Sequence, residues 1–309
     1  MIDDGSTDGG GAVCDELSNR YSCIKTIHKQ NEGAGSARNI GIKQAQGEYV
    51  YFFDIDDLAD VNLLEYCVTI MDTYLTDIMI FGYHSIQVET NRRSSFQWQS
   101  QIIHSNVEFR NSFFDICIAK TNGFVWNKFY RRSFLNDNNL LFENQKIQQD
   151  EVFNLLCYRH LNSCFISDKI LYNYYVYSEG NTRSSFIEDR FGIYKSVRQQ
   201  FESLVSYWNL NDSRIITYLN SRFFDSVIQC LTVNMFEYSS PWDYNCKRKE
   251  MNRILNDDYT VLSLQYGMSS PRLEDKLYAY ACKCRSLFII HLLYVLFSAA
   301  RTIKNKIMK

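Results

Sequence analysis

Residues 47–57 read Gly-Glu-Tyr-Val-Tyr-Phe-Phe-Asp-Ile-Asp-Asp, a short apolar run that ends in a group of acidic residues. The run at 48–53 has the length and the aromatic content of a buried β-strand. Open α/β sheets bind their ligands beyond the carboxyl ends of their strands. The carboxylates of Asp54, Asp56 and Asp57 therefore stand where a functional site is expected.

Strand and helix patterns alternate on both sides of this stretch. Residues 23–28 and 78–83 have the apolar pattern of short strands, and 35–46 and 61–74 have the spacing of helices with one apolar face. Alternation of this kind predicts a mainly parallel sheet covered by helices. The patterns after about residue 191 are long and helical, and no acidic cluster there follows a strand.

The composition excludes several classes of protein. The chain has 309 residues and is 46% hydrophobic, which is enough to bury a large core. Its 33 basic and 35 acidic residues give a net charge of −2, so a nucleic-acid partner is not expected. The cysteines lack zinc-ligand spacing and the N-terminus lacks a secretory signal pattern, which together predict a cytoplasmic protein with reduced thiols.

Three polar clusters, at residues 3–8, 31–39 and 54–57, are the candidates for a functional site. Each has an ordinary structural interpretation when it is taken alone. The Asp-Asp-Gly-Ser sequence at 3–6 is typical of a turn with a helix N-cap, and Ser36 or Asp56 could equally cap the helix that follows it. Their order and spacing carry more information than any single cluster.

Taken together, the clusters resemble the family 2 glycosyltransferases. In that family a strand ends in Asp-Asp-Gly-Ser, a Gly-Ala-Arg-Asn helix follows, and the next strand ends in Asp-x-Asp. The resemblance is carried by residues 2–8, 37–41, 47–49, 53–57, 126–131 and 149–153. It implies an A-type α/β fold, Rossmann-like, with a mainly parallel sheet and flanking helices. We expect the catalytic domain at 1–185 and a helical C-terminal region at 186–309.

The resemblance also assigns residues to a nucleotide-sugar donor. It implies that Asp4 contacts the nucleotide base and that Asp56 is a metal ligand. Asp54 is expected either to contact the ribose of the donor or to support the metal. Arg38 lies either near the donor phosphates or in a structural ion pair, and Asp57 is expected to cap the next helix. Hard oxygen ligands suit Mn²⁺ or Mg²⁺, which would neutralise the departing diphosphate, and the family favours a UDP-sugar.

The acceptor side is assigned in the same way. Asp150 is the predicted general base, with a helix N-cap as the alternative, and Gln149 stands where the family usually has the first acid of an acidic pair. Trp126 and Lys128 could form the floor of the acceptor site, or Trp126 could belong to the core. The expected reaction inverts the anomeric carbon of the sugar and transfers it to a saccharide or lipid-linked acceptor, in surface polysaccharide synthesis.

Two other functions remain open at this point. A non-catalytic sugar-nucleotide-binding or scaffold protein would keep the fold without turnover, and a nucleotidyltransferase could have a related fold. Family members normally have an apolar strand and a helix before Asp-Asp-Gly-Ser, and neither precedes Met1. We therefore expect a catalytic domain that lacks its first strand and helix, with reduced or no activity.

The segment 286–309 combines an apolar run with a basic end. The run is shorter than the roughly 20 residues that span a bilayer, but such a helix can lie on an anionic surface. The sequence predicts either peripheral contact with the inner face of the cell membrane or packing of this helix on its own domain or on a partner subunit.

Overall fold

A computed structural model describes residues 1–118, 121, 123–177, 185–237 and 240–307. In it, the strand within residues 47–57 belongs to a mixed sheet. The chain divides into two units, Met1–Val176 and Tyr177–Lys309. The strands of the first unit are β1 (Ile2–Asp3), β2 (Ile27–His28), β3 (Tyr49–Tyr51), β4 (Leu58–Ala59), β5 (Ile78–Gln87), β6 (Arg92–Phe96), β7 (Gln101–Ile103), β8 (Lys128–Arg131) and β9 (Cys164–Val176). Its helices are α1 (Gly10–Arg20), α2 (Ala34–Gln44), α3 (Leu63–Tyr74), α4 (Asn106–Ile118), α5 (Arg132–Asp137) and α6 (Gln149–His160).

Seven of these strands form one sheet in the order β3-β8-β5-β9-β4, with β6 paired to β5 and β7 paired to β9. β8 is antiparallel to both β3 and β5, whereas β9 is parallel to β5, so β3, β5 and β9 run in one direction. The other four strands run the opposite way. The sheet is therefore mixed rather than mainly parallel. β1 and β2 form a separate two-stranded parallel sheet.

The predicted helices and strands around the acidic stretch are present with shifted ends. The helix predicted at 35–46 is α2, and the one predicted at 61–74 is α3, which starts two residues later. A carboxylate oxygen of Asp60 accepts a hydrogen bond from the backbone N–H of Asn62 and begins that helix. The strand predicted at 78–83 is β5, which continues to Gln87.

One part of the core of the first unit lies between α3 and the sheet. Leu63, Cys67 and Met71 recur at a spacing of four residues and face inward, which is the pattern of a helix with one buried stripe. They pack with the aromatic side chains of β5, β8 and β9 in one cluster. Burial of these side chains holds α3 on the sheet.

The second unit is helical. Its helices are α7 (Arg190–Tyr207), α8 (Ser213–Leu231), α9 (Val233–Phe236), α10 (Tyr244–Leu255), α11 (Asp258–Ser269), α12 (Leu273–Lys283) and α13 (Leu287–Ile307). Four of them begin after an aspartate whose side chain accepts a backbone N–H of the first turn: Asp189, Asp212, Asp243 and Asp257. Such caps satisfy N–H groups that have no partner within the helix. None of the described helices is both long and apolar enough to cross a membrane.

Gly82 lies in β5 at an irregularity in its pairing with β9. A Cβ atom at this position would come within 2.7 Å of the carbonyl oxygen of Phe96 and 3.0 Å of that of Lys169. Both are backbone atoms of neighbouring strands, so neither can move aside without distorting the sheet. We expect Gly82→Ala to lower the free energy of unfolding by about 2 kcal/mol.

Urea unfolding followed by circular dichroism would measure the change. Gly47→Ala is the matched control, since a Cβ there would come no closer than 3.5 Å to the carbonyl oxygen of Tyr49. We expect the control to change the free energy of unfolding by less than about 1 kcal/mol. Equal stability of the two variants would contradict the proposed backbone contact.

Candidate functional site

The guanidinium group of Arg38 joins two of the predicted acidic residues. One of its terminal nitrogens donates to Oδ1 of Asp150 at 2.5 Å, and the other lies 3.2 Å from Oδ1 of Asp54. These residues come from α2, from the segment after β3 and from the first turn of α6. The fold therefore brings together three site residues that are far apart in the sequence.

α2 is held in place by its own motif residues. The side-chain amide of Asn39 donates to the backbone oxygen of Phe142 at 2.9 Å and accepts from its N–H at 2.7 Å. A Cβ atom on Gly35 would lie 3.2 Å from the carbonyl oxygen of Glu143. The small Gly35 and the pairing amide of Asn39 thus let α2 approach the segment before α6, which is why Arg38 reaches Asp150.

Asp54 and Asp56 differ in their surroundings. Burial raises the pKa of Asp54, and the charge of Arg38 opposes this shift. Asp56 is exposed to solvent. Mg²⁺ and Mn²⁺ sites in transferases commonly use one or two protein carboxylates, with substrate phosphates and water as the other ligands. The described residues contain no group of three His, Cys, Asp or Glu side chains that could hold a metal. Asp54 and Asp56 are two neighbouring carboxylates that could ligate a cation together with oxygen atoms of a bound substrate.

Asp57 has a structural contact that the sequence did not indicate. Its carboxylate accepts hydrogen bonds of 2.8 Å from the hydroxyl of Tyr172 and from the backbone N–H of Tyr175, both on β9. Its side chain is buried, and this burial raises its pKa to about 6. Asp57 does not cap α3, because Asn62 holds the N-cap position of that helix. The residue ties the acidic segment to the sheet.

Asp4 lies against the loop that leads into α2. Its Oδ1 accepts from Nζ of Lys29 at 2.6 Å, and its Oδ2 accepts from the backbone N–H of Gly33 at 2.7 Å. Burial alone would raise the pKa of Asp4, but the hydrogen bonds from Lys29, Glu32 and Gly33 outweigh it and lower that pKa. Asp4 thus stands at the tip of β1, with its carboxylate oriented by the loop.

His28 is a residue whose role the sequence patterns missed. Its Nδ1 lies 2.8 Å from a carboxylate oxygen of Asp3, and its Nε2 lies 2.8 Å from one of Asp15. The contacts with Asp15 and Asp3 raise the pKa of His28. Hydrogen bonds from Ser6 and His28 lower the pKa of Asp3 to about 2. The imidazole joins β1, β2 and α1, which no local sequence spacing could indicate.

Trp126 and Lys128 lie in the core. The indole of Trp126 is 2% exposed and stacks against the rings of Phe124 and Tyr172 at centroid distances of 4.5 and 4.6 Å. Nζ of Lys128 has no exposure and donates to the backbone oxygens of Thr121 and Phe124 and to Oδ1 of Asn127. Burial lowers its pKa to about 7. Neither side chain presents a surface to an acceptor, which corrects the expectation of an acceptor floor here.

Residues 1–138, which carry Asp4, Arg38, Asp54 and Asp56, match the family described as glycosyl transferase family 2. This region belongs to glycosyl transferase family 2. The relationship that the sequence motifs predicted is therefore confirmed.

Several bacterial glycosyltransferases are similar to this chain. An uncharacterized glycosyltransferase, EpsJ, of Bacillus subtilis is 25% identical over 68% of this chain and 60% of its own length. A cholesterol galactosyltransferase of Borreliella burgdorferi is 29% identical over 50% of this chain and 44% of its own length. The chain thus spans less than two thirds of the length of each of these two relatives.

Among solved structures, the chain resembles S. aureus TarS 1–349 in complex with UDP-GlcNAc. The TM-score is 0.62 at 18% sequence identity, and the match covers 97% of this chain and 82% of the TarS chain. This likeness confirms the predicted family 2 fold, an A-type glycosyltransferase fold with flanking helices and a helical C-terminal region.

The contacts of His28 give a prediction about pH. A group with a raised pKa in the folded state stabilises that state below its unfolded pKa of about 6.5 and loses this effect as pH rises through the folded value. We expect amide protection in β1, β2 and α1 to fall as the pH rises above about 6.5. Because the group is exposed to solvent, the fall should be less than about tenfold.

Hydrogen exchange corrected for intrinsic rates would measure this protection. His28→Gln keeps a hydrogen-bonding side chain without a charge, so its protection in the same segments should not change over this pH range. The role of His28 would be refuted if amide protection in these segments had the same pH dependence in the wild-type protein and in the His28→Gln variant.

Proposed function

We propose that this chain transfers a sugar from a nucleotide diphosphate to a saccharide or lipid-linked acceptor and inverts the configuration of the anomeric carbon. The observation that carries the proposal is the bridge from Arg38 to Asp54 and Asp150, because it places the predicted donor side and the predicted base beside one another. The similarity to the glycosyltransferase EpsJ and to the cholesterol galactosyltransferase supports glycosyl transfer.

A UDP-sugar is the donor that the comparisons favour. The TarS structure that shares this fold contains UDP-GlcNAc, and TarS is named as a poly(ribitol-phosphate) β-N-acetylglucosaminyltransferase. The loop around Asp4 could receive the nucleotide, since a carboxylate accepts hydrogen bonds from base N–H groups. A bound Mn²⁺ or Mg²⁺ on Asp56 and Asp54 would supply positive charge to the departing diphosphate. A setting in surface polysaccharide synthesis agrees with these relatives.

Asp150 is the proposed general base. It stands in the first turn of α6 with about a quarter of its side chain exposed, so an acceptor hydroxyl can approach it. The acceptor oxygen would form a bond to the anomeric carbon while the bond from that carbon to the diphosphate oxygen breaks. The hydroxyl proton passes to the carboxylate of Asp150, and the nucleoside diphosphate leaves.

Arg38 is proposed as a positioning residue. Its two ion pairs hold the carboxylates of Asp54 and Asp150 at the separation of one guanidinium fork. Its guanidinium carbon also lies 5.5 Å from the ring centre of Phe142, next to the anchor of Asn39. The positive charge offsets the repulsion between the two neighbouring carboxylates.

The reaction is proposed to occur in the cytoplasm. Nine cysteines among the described residues are free thiols: Cys14, Cys23, Cys67, Cys157, Cys164, Cys230, Cys246, Cys282 and Cys284. Thiols persist in reducing compartments, whereas proteins in oxidising compartments tend to form disulfides. This supports the predicted location.

The first experiment measures UDP release from UDP-GlcNAc by the 309-residue chain, with Mn²⁺ and with chelator. We expect activity that chelator abolishes. Asp150→Asn should lower turnover by at least about 100-fold, because the proton acceptor is lost. Asp56→Asn should lower it by a similar factor and raise the Mn²⁺ concentration needed for half-maximal activity.

Asp137→Asn is the matched control. Asp137 is an exposed carboxylate at the end of α5 in the same unit, so we expect its replacement to leave turnover unchanged. Activity that survives both Asp56→Asn and Asp150→Asn would overturn the assigned roles. Binding of UDP-GlcNAc without turnover would instead favour a sugar-nucleotide-binding scaffold.

A further inference from the structure

The C-terminal part of the chain has a strong excess of positive charge. After Asp275 the sequence contains no acidic residue, yet it contains seven basic ones: Lys276, Lys283, Arg285, Arg301, Lys304, Lys306 and Lys309. The whole chain has a net charge of −2, so this segment differs in sign from the rest. A concentration of lysine and arginine with no acid among them attracts anionic surfaces.

α13 presents two apolar faces. Leu287 and Ile290 on the inner face are buried. Farther along the same face the hydroxyl of Tyr294 donates to Glu237, and the ring of Phe297 lies 5.7 Å from that of Tyr278. These contacts attach α13 to its own unit, so packing on its own unit, one of the alternatives that the sequence left open, is observed for this face.

The opposite face carries exposed apolar side chains, which we call the outer stripe. Its members are Phe288, Leu292, Val295, Leu296 and Ile303. Phe288 is 72% exposed, and Val295 and Leu296 are 50% and 56% exposed. The spacings of four, three and seven residues keep these side chains on one side of the helix. A stripe of large apolar groups in water is unfavourable unless a partner covers it.

We propose that the outer stripe of α13 binds to the surface of an anionic lipid membrane. The helix is attached along its inner face, so it would lie in the membrane plane with the stripe inserted among the acyl chains. The exposed side chains of Lys283 and Arg285, just before the helix, would meet the lipid phosphates, and the basic sequence after Ala300 adds positive charge. A helix with an exposed apolar stripe and basic residues near its ends is suited to an anionic lipid surface rather than to a neutral protein groove. The positive charge therefore favours a membrane as the partner of the outer stripe.

Cosedimentation of the full chain with lipid vesicles tests the proposal. We expect binding to vesicles that contain phosphatidylglycerol, at least about tenfold weaker binding to pure phosphatidylcholine, and a further loss at high salt because screening weakens the charge attraction. Val295→Glu/Leu296→Glu places two acids in the outer stripe and should abolish binding at low salt.

The chain offers a close control. Val261 and Leu262 on α11 form the same pair of residues, and they are 47% and 46% exposed. Val261→Glu/Leu262→Glu adds the same charge at matched exposure, so it should retain most of the vesicle binding. Thermal unfolding by circular dichroism would establish that both double variants are folded. Equal loss in the two variants would mean that added charge alone is responsible, and the proposal would fail.

Sedimentation without lipid distinguishes a second occupant. If the outer stripe joined two copies of the chain, the wild-type protein would be a dimer that Val295→Glu/Leu296→Glu converts to a monomer, and vesicles would not bind it. That result would overturn the membrane proposal. A monomer that binds anionic vesicles through Val295 and Leu296 would support it, whether or not the chain transfers sugar.

Discussion

The candidate site depends on the guanidinium group of Arg38, which lies between the carboxylates of Asp54 and Asp150. Without Arg38, Asp54 and Asp150 would stand close together without a balancing charge, and like charges at short range favour protonation of one of them. Arg38 can hold this place only because Gly35 and Asn39 bring α2 against the segment before α6. The motif residues of α2 therefore act together. Gly35 and Asn39 set the position of the helix, and from this position Arg38 contacts both carboxylates.

The local parts of the fold could be predicted from the sequence. α2, α3, β3 and β5 follow from apolar spacing over six to fourteen residues. The shared direction of β3 and β5 agrees with the alternation of strand and helix. The mixed character of the sheet could not be predicted in this way. β8 is a four-residue strand, and its place between β3 and β5 depends on pairing with residues about 50 to 80 positions away.

The site shows the same division. Arg38, Asp54 and Asp150 were predicted from motifs, and the fold brings them together. The burial of Trp126 and Lys128 depends on which side of β8 faces the core, and a sequence that lacks the sheet order cannot give this. Asp57 and His28 were likewise missed because their partners on β9 and α1 are distant in sequence. Candidate site residues can be predicted from local sequence motifs, whereas the solvent exposure of their side chains depends on the tertiary structure.

The environment of Lys128 has a consequence for chemical labelling. Reagents that acylate amines need contact with the neutral form of the amine, and the carbonyl oxygens around Nζ of Lys128 prevent that contact while the sheet is intact. Acylation of this lysine would therefore be limited by transient opening around β8 rather than by the reagent. Lysines at the surface would be acylated rapidly. The slower rate of acylation at Lys128, followed by mass spectrometry, would therefore report the rate at which the core around β8 opens.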